Sequence, residues 1–393
     1  MSKNQVILFI PSLHYLSNPI YIPIADKIQN AIRIYLDTEY KMHSVLVTDY
    51  EKKIDSLKAH FDKVDYIPEK MNANNNKSKV DELFGLKHKT KRIVSLINKI
   101  NPDAIILGSD ATDVFKVCNT FFAHKKLFVI QQSALRPFVE IKYSTKEKLS
   151  YLFYRYILKV PILASNPWYT YKDNATHLLW SDFFCLSAFK KYIATGNPAW
   201  DNLISSFEEH KYEYSATRNT ICIATQPVQG TEDEQLYNEY IAMIQQCIKH
   251  LPEFNFIIKV HPRDNSQRYA DIFMNEKVSN VSIVNNESMD SVLDRCFVLV
   301  TAWSMTAFES AIKGVPVVFG NPNFGKDLTT INSSNILPVA DTAEVLENNI
   351  RLLTQKGGYQ NFLDIRNNFL IKINTINTPT SAQTIAKIIT NAA

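Results

Sequence analysis

The sequence predicts an α/β protein made of two domains, each built around a parallel sheet. The chain has 393 residues, enough for two domains of ordinary size with separate hydrophobic cores. Short apolar runs alternate with helical patterns in both halves of the chain, as they do in βαβ units. A charged stretch with few apolar residues, 205–219, lies between the two alternations and is typical of a linker.

The first half, residues 1–204, contains apolar runs of the length expected for strands buried on both faces. These runs are 5–10, 43–49, 103–110 and 126–132. Helical patterns at 22–36 and 89–100 lie between them. We therefore expect a parallel sheet with helices on both sides, and we expect this domain to hold an acceptor.

The second half, residues 220–375, repeats the arrangement. Its apolar runs are 220–227, 254–262, 280–286, 296–304 and 315–322, each separated from the next by a helical pattern. Residues 376–393 predict a closing helix. The two halves together predict two similar α/β domains with a cleft between them.

Composition narrows the class of protein. A hydrophobic content of 46% with 21% charged residues is typical of a globular chain. The net charge of +4 is mild and no RNA-binding motif is present, so we expect no nucleic-acid partner. No run reaches the ~18 apolar residues of a membrane span. Five scattered cysteines and an N-terminus without a cleavage site predict a cytoplasmic protein.

The sequence predicts neither a metal nor a cofactor. It has nine glycines but no GxGxxG or Walker loop, no CxxC pair and no DxD motif. A phosphate group would therefore be held by helix N-termini and side chains instead of a glycine-rich loop.

Polar clusters follow three of the predicted strands in the second half. They contain Thr225 and Gln226, then His261, Pro262 and Arg263, and then the segment from Thr301 to Thr306. Because ligands of open α/β sheets bind beyond the carboxyl ends of the strands, we expect the three clusters to meet in one crevice.

The third cluster predicts an anion site. Ser304, Met305 and Thr306 lie where a loop enters a helix, where backbone N–H groups and hydroxyls favour an anion. Glu309, one turn further, is placed to accept the hydroxyls of a ribose. The alternative is that Ser304 only caps the helix and that Glu309 is a solvated acid.

The second cluster has two interpretations. His261 and Arg263 beside each other at a strand end suit a phosphate or a leaving group that gains charge. The alternative is an ordinary polar turn. Asp264 is placed to orient Arg263.

The first half offers candidates for a general base and for acceptor contacts. His14 follows the first strand, while Asp110 and Asp113 follow a later one. For these residues the alternatives are an incidental loop histidine and carboxylates that cap a helix. Gln132 and Arg136, with the neighbouring Gln131, are placed to line the acceptor side.

Segment 142–163 interleaves basic and aromatic residues. A packed helix explains this pattern, and so does a surface helix that touches anionic lipid. The sequence therefore leaves open a peripheral contact with the cytoplasmic face of the inner membrane.

Three motifs, "KVHPRD", "TAWSMTAFESAIKGVPVV" and "TGNPAWD", resemble the GT-B glycosyltransferases of bacterial capsule and lipopolysaccharide synthesis. They are also similar to CDP-glycerol glycerophosphotransferases and UDP-GlcNAc 2-epimerases. The resemblance implies two Rossmann-like domains, the second holding a nucleotide-sugar donor. His261 and Pro262 match an element that contacts cytidine nucleotides in capsule Kdo-transferases. Ser304 and Thr306 match phosphate-binding hydroxyls, and Glu309 matches the ribose carboxylate.

Two family patterns are missing from the sequence. The acidic motif of bacterial sialyltransferases has no match, since "QGTEDE" (229–234) carries its acids in another order. The loop after the first strand, "PSLHYLSNP", lacks the arginine of the epimerases.

The expected function is a glycosyltransferase whose partners are a nucleotide-sugar donor and a saccharide or lipid-linked acceptor. A CMP-linked acid sugar, such as Kdo or another nonulosonic acid, is the favoured donor. The alternatives are a UDP-hexose-dependent transferase, a CDP-glycerol-type phosphotransferase, an enzyme resembling UDP-GlcNAc 2-epimerase, and a nucleotide-sugar-binding scaffold without catalysis.

Overall fold

A computed structural model describes most of the chain. The described residues are 5–10, 40–47, 61–67, 79–108, 113–131, 144–161, 174–185, 191–201, 219–226, 234–261, 264–273, 280–302, 304, 306–320, 337–373 and 380–392. The chain divides into two compact units. The first comprises Met1–Gln132, Phe138–Asp201 and Ile373–Ala393, and the second comprises Ser133–Pro137 and Asn202–Lys372.

The first unit contains a parallel sheet, which in the described residues has seven strands in the order β3-β2-β1-β4-β5-β6-β7. The strands are β1 (Gln5–Ile10), β2 (Tyr40–Val47), β3 (Lys63–Ile67), β4 (Ala104–Leu107), β5 (Lys126–Ile130), β6 (Thr176–Leu179) and β7 (Tyr192–Ala194). The first six follow the Rossmann order. Both β4 and the apolar part of β5 are fully buried, as the uninterrupted apolar runs predict.

The helices of the first unit include one π-helical turn. They are α1 (Lys79–Ile100), α2 (Asp113–Phe121), α3 (Thr145–Leu152) with a π-helical continuation (Phe153–Ile157), and α10 (Ser381–Ala392), besides 3-10 turns at Asp182–Phe184 and Pro198–Trp200. Side chains of α1 and α2 bury Ile93, Ile97 and Phe115 against Leu8 of β1 and Ile105 of β4. This packing is the core of the unit.

The "TGNPAWD" motif connects the end of the sheet to the last helix of this unit. Gly196 has a φ of 79°, a conformation that glycine adopts without a steric penalty. The ring of Trp200 packs 4.7 Å from that of Trp180. Asp201 then accepts hydrogen bonds from the backbone N–H groups of Ser381 (3.0 Å) and Ala382 (3.1 Å). The motif thus caps α10, so the closing helix belongs to the first unit.

The second unit contains another parallel sheet, with the order β10-β9-β8-β11-β12-β13 among the described residues. Its strands are β8 (Thr220–Ala224), β9 (Asn255–Lys259), β10 (Val281–Val284), β11 (Val298–Thr301), β12 (Val317–Gly320) and β13 (Val339–Ala340). Its helices are α4 (Glu234–His250), α5 (Ser266–Phe273), α6 (Met289–Arg295), α7 (Thr306–Lys313), α8 (Ala343–Leu353) and α9 (Lys356–Ile373). The two sheets confirm the predicted fold class of two Rossmann-like domains.

The predicted boundaries at 204 and 375 stay predictions. Of the predicted linker 205–219, only Asn219 is among the described residues. No helix in the described part of the chain has the length and apolar character needed to cross a membrane.

Candidate functional site

The sheet of the second unit reverses its strand order beside β8. The strand β8 pairs with β9 on one side and with β11 on the other, so that Ala224 is in register with Lys259 and with Thr301. Strands that pair in this way lie about 4.8 Å apart. Ligands of open α/β sheets bind at this switch point, beyond the carboxyl ends of the strands. Residues that directly follow these three strands therefore share the candidate site.

Thr225 joins the ends of β8 and β9. Its side chain is 3% exposed, and its backbone N–H donates to the carbonyl of Lys259 over 3.1 Å. Its Oγ1 accepts a hydrogen bond from the backbone N–H of His261 at 2.9 Å. The side chain of Thr225 therefore positions His261, and its predicted contact with a donor nucleotide stays a prediction.

A buried tyrosine pair fixes the other end of the same loop. The hydroxyl groups of Tyr237 (α4) and Tyr269 (α5) contact each other, and Tyr269 donates to Asp264 Oδ2 at 2.5 Å. The backbone N–H of Asp264 donates to the carbonyl of His261 at 2.8 Å. Burial raises the pKa of Tyr237 to about 12 and that of Tyr269 still further, so both hydroxyls stay neutral at physiological pH.

This tyrosine pair was not predicted from the sequence. Each residue belongs to the apolar face of its own helix, and both rings are fully buried. Asp264 therefore has a described partner in Tyr269, while the residue it was expected to orient, Arg263, lies outside the described residues.

Ser304 caps helix α7, as one of the two interpretations predicted. Its Oγ accepts a hydrogen bond from the N–H of Thr306 at 3.2 Å, and its carbonyl accepts one from Ala307 at 3.1 Å. These bonds fix where the helix begins. The positive end of the helix dipole consequently lies beyond the carboxyl end of β11.

Two buried side-chain atoms near the ends of β8 and β11 have no hydrogen-bond partner among the described residues. They are Nε2 of Gln226, which is 7% exposed, and Oγ1 of Thr306. Leaving such a group unpaired costs about 1–3 kcal/mol, so native structures rarely contain one without a ligand or water. Nε2 of Gln226 is a donor, so its missing partner is an acceptor, whereas the hydroxyl of Thr306 can donate or accept.

Glu309 lies one helical turn after Thr306 on the partly exposed face of α7. Burial, with a smaller contribution from the charge of Asp290, raises the pKa of Glu309 to about 7. No hydrogen bond from a described residue contributes to this rise in the pKa. Near neutral pH the carboxyl group is therefore close to half ionised.

The opposite end of α7 is held by helix α9. Arg366, 4% exposed, donates from Nε to the carbonyl of Ala311 (2.6 Å) and from Nη2 to that of Ile312 (2.9 Å). The hydroxyl of Tyr359 donates to the carbonyl of Gly314 at 3.1 Å. Burial lowers the pKa of Arg366 to about 10, which leaves it charged at neutral pH. A cation at the C-terminus complements the helix dipole and fixes α7 in place.

Two polar residues at strand ends of the first unit have structural partners. Asp113, a predicted base, begins α2 and forms an ion pair with Lys89 of α1 at 2.9 Å. Gln131 accepts a hydrogen bond from the N–H of Trp180 at its Oε1 (2.9 Å) and one from the Trp180 indole at its carbonyl (3.0 Å). The catalytic assignment of Asp113 stays a prediction.

Several predicted site residues lie outside the described residues. These are His14, Asp110, Gln132, Arg136, Pro262, Arg263 and Met305. Within the described part of the chain, no group of three or more His, Cys, Asp or Glu side chains is arranged to hold a metal ion.

Part of the second half of the chain matches a known family model. Residues 205–378 match a family model described as "Protein of unknown function (DUF354)". No match was found among curated proteins.

Comparison with solved structures gives matches over the whole chain. A glycosyltransferase from Rickettsia africae has a TM-score of 0.58 at 12% identity, covering 100% of this chain and 98% of that chain. Acinetobacter baumannii MurG has a TM-score of 0.56 at 13% identity, covering 99% and 100%. UDP-GlcNAc 2-epimerase from Neisseria meningitidis, bound to UDP-GlcNAc, has a TM-score of 0.57 at 15% identity, covering 98% of each chain. These similarities, together with the two parallel sheets, show that the chain has the GT-B fold.

Proposed function

We propose that the protein is a glycosyltransferase that holds the nucleotide of its donor sugar at the switch point of the second unit. The observation that carries this proposal is the set of unsatisfied groups there: the buried Nε2 of Gln226 and the buried hydroxyl of Thr306, with the carboxyl of Glu309 nearby. A nucleotide complements this set, because phosphate oxygens accept hydrogen bonds and ribose hydroxyls donate them.

The chemistry follows from the position of helix α7. The phosphate lies against the helix N-terminus and accepts hydrogen bonds from Gln226 and Thr306. As the bond to the sugar breaks, negative charge grows on the departing phosphate, and these donors and the helix dipole stabilise it. In this mechanism His261 and Arg263 assist, and neither a metal nor a cofactor is needed.

The acceptor is a saccharide, free or lipid-linked, in bacterial surface polysaccharide synthesis. Its hydroxyl loses a proton to a general base, for which His14, Asp110 and Asp113 are the candidates, before attacking the sugar. Gln132 and Arg136 contact this acceptor in the proposal. The resemblance of the three motifs supports this part of the assignment.

The base of the nucleotide has two candidates. The His261-Pro262 element resembles families that use a CMP-linked acid sugar, and this favours cytidine. Structural relatives described as bound to UDP-GlcNAc or UDP favour uridine. We propose cytidine, with a UDP-hexose donor as the alternative that the nucleotide panel below separates from it.

A second candidate function is nucleotide-sugar epimerisation. It is favoured by the similarity of the fold to UDP-GlcNAc 2-epimerases at TM-scores comparable with those of the glycosyltransferases. The two functions differ in one measurable property. An epimerase turns over its nucleotide-sugar alone, whereas a transferase needs an acceptor for rapid turnover.

Thermal unfolding with CMP, CDP, UDP, GDP and ADP tests the proposal. A ligand that binds only the native state at 100 times its Kd adds roughly 2.7 kcal/mol of stability, which shifts Tm measurably. Stabilisation by CMP and CDP alone supports a cytidine donor, and stabilisation by UDP alone replaces it with a uridine donor. If none of the five raises Tm, the proposed nucleotide site is refuted.

A further inference from the structure

A stripe of large apolar side chains faces solvent on α3 and the π-helical turn that continues it. We call it the outer stripe, and its members are Leu149 (62% exposed), Leu152 (48%), Phe153 (48%), Tyr156 (57%) and Ile157 (69%). All five are exposed, so they lie on the solvent side of this helical segment. A soluble surface helix normally turns such a stripe towards the protein core, so an outward stripe marks an interaction surface.

The outer stripe is held outward by contacts on the other side of the same turn. Arg155 is buried and donates from Nη2 to the carbonyl of Asn119 in α2 at 2.8 Å. Val160 is fully buried, and its N–H donates to the carbonyl of Tyr154 at 2.9 Å. The turn is therefore docked on the first unit through Arg155 and Val160, which leaves the apolar side chains facing away from it.

Positive charge surrounds the outer stripe. Exposed Lys146 precedes it by one turn, and exposed Lys159 follows it by two residues. Apart from the buried Arg155, residues 144–159 contain three basic residues and one acidic residue, a formal charge of +2. Basic side chains next to an apolar stripe with aromatic members are the features of a helix that lies in the interface of an anionic bilayer.

We propose that the outer stripe docks the protein on the surface of an anionic phospholipid bilayer. Its apolar side chains enter the boundary between headgroups and acyl chains, while Lys146 and Lys159 contact the anionic headgroups. A second copy of the chain is a poorer occupant. It would bring like charges together, and five side chains fall well short of the ~20–30 residues a side of a stable protein interface. The inference is independent of the proposed reaction, because no donor or acceptor is needed for docking.

Vesicle co-sedimentation of the full chain tests this proposal. We expect binding to phosphatidylcholine vesicles containing about 30% phosphatidylglycerol, and binding at least about tenfold weaker to phosphatidylcholine alone. The double variant Phe153→Ser/Ile157→Ser should lose about tenfold or more in binding, because two members of the stripe no longer enter the bilayer. The charge reversal Lys146→Glu/Lys159→Glu should weaken binding and reduce its dependence on salt.

A matched control uses exposed apolar residues outside the stripe. Phe84 (66% exposed) and Ile371 (73%) lie on other helices, and the variant Phe84→Ser/Ile371→Ser should bind vesicles like the wild type. An independent readout is Ile157→Trp, whose additional fluorescence should shift to shorter wavelength when anionic vesicles are added. The proposal is overturned if the wild type ignores anionic vesicles or if the stripe variants bind as well as the wild type. A dimer that the stripe variants abolish, in a protein that ignores vesicles, would assign the surface to a second copy.

Discussion

The backbone N–H of His261 donates a hydrogen bond to the side chain of Thr225 over 2.9 Å, which ties the ends of two neighbouring parallel strands together. At its other end, the same loop is tied down by the bond between Asp264 and Tyr269. A buried threonine and a buried tyrosine thus hold His261 and Asp264, for which the sequence allows either a ligand site or an ordinary polar turn. The two described residues on either side of positions 262 and 263, His261 and Asp264, are therefore each held by a hydrogen bond with a buried side chain.

Replacing Thr225 with valine should remove its hydrogen bond to His261 while keeping the packing of its side chain. Valine has nearly the same shape but no hydroxyl, so the N–H of His261 loses its acceptor, and we expect the free energy of unfolding to fall by about 1–2 kcal/mol. Nucleotide affinity should fall as well, because the loop is less well fixed. Urea denaturation and calorimetric titration measure the two effects, and Thr225→Ser should retain both properties. Unchanged affinity in the valine variant would show that the loop is not part of the site.

Glu309 should make stability depend on pH. Its pKa is about 7 in the folded chain and 4.5 as its ordinary value, so the native state binds more protons between these limits. Stability therefore falls as pH rises through this window and is level above it. Because the side chain is only partly exposed, we expect a loss of about 1–3 kcal/mol relative to Glu309→Gln. The free energy of unfolding of both proteins should be measured by denaturation from pH 4.5 to 8. A difference between them that stays constant over this range would contradict the assignment.

Arg366 should be one of the most sensitive residues of the second unit. Replacing it with methionine keeps much of its volume but leaves the carbonyls of Ala311 and Ile312 without their donors. We expect a loss of about 2–4 kcal/mol in the free energy of unfolding and a weaker nucleotide site, since α7 is less well held. Arg295, 50% exposed and paired with Glu287, is the matched control, and Arg295→Met should change stability by less than about 0.5 kcal/mol. Equal effects of the two substitutions would refute the capping role.

The two parallel sheets and nine of their thirteen described strands could be predicted because the signal of a buried strand is local, whereas β3, β6, β7 and β13 were not predicted. Short uninterrupted apolar runs such as that of β4 predict a buried strand, and polar segments after them mark the strand ends. Ser304 was placed correctly at the start of α7 for the same reason, since a capping residue acts within its own turn.

The contacts that position the site could not be predicted in this way. Arg366 reaches carbonyls that lie 54 and 55 residues earlier in the chain, and Tyr237 meets Tyr269 across 32 residues. Each of these residues is an ordinary member of its own helix. Each residue meets its partner only because two helices pack against each other, and the spacing of residues along the sequence does not predict that packing.

Two glutamines with the same burial permit the sharpest test of the nucleotide site. Gln131 and Gln226 are both 7% exposed, and each directly or nearly follows a parallel strand. The side chain of Gln131 bonds the N–H of Trp180, whereas Nε2 of Gln226 has no hydrogen-bond partner among the described residues. Burying a polar group without a hydrogen-bond partner destabilises the free protein, so such a group is expected at a ligand site.

Substituting methionine at each position should therefore have opposite effects on the free protein. Gln131→Met breaks a satisfied buried bond and should lower the free energy of unfolding by about 1–3 kcal/mol. Gln226→Met removes an unsatisfied donor and should leave stability unchanged or raise it by about 1 kcal/mol, while nucleotide affinity falls about tenfold for the one lost hydrogen bond to a charged phosphate. Denaturation without ligand and titration with the best nucleotide of the panel measure these outcomes. If Gln226→Met destabilises the free protein as much as Gln131→Met does, Gln226 is a structural residue and the phosphate must be held elsewhere.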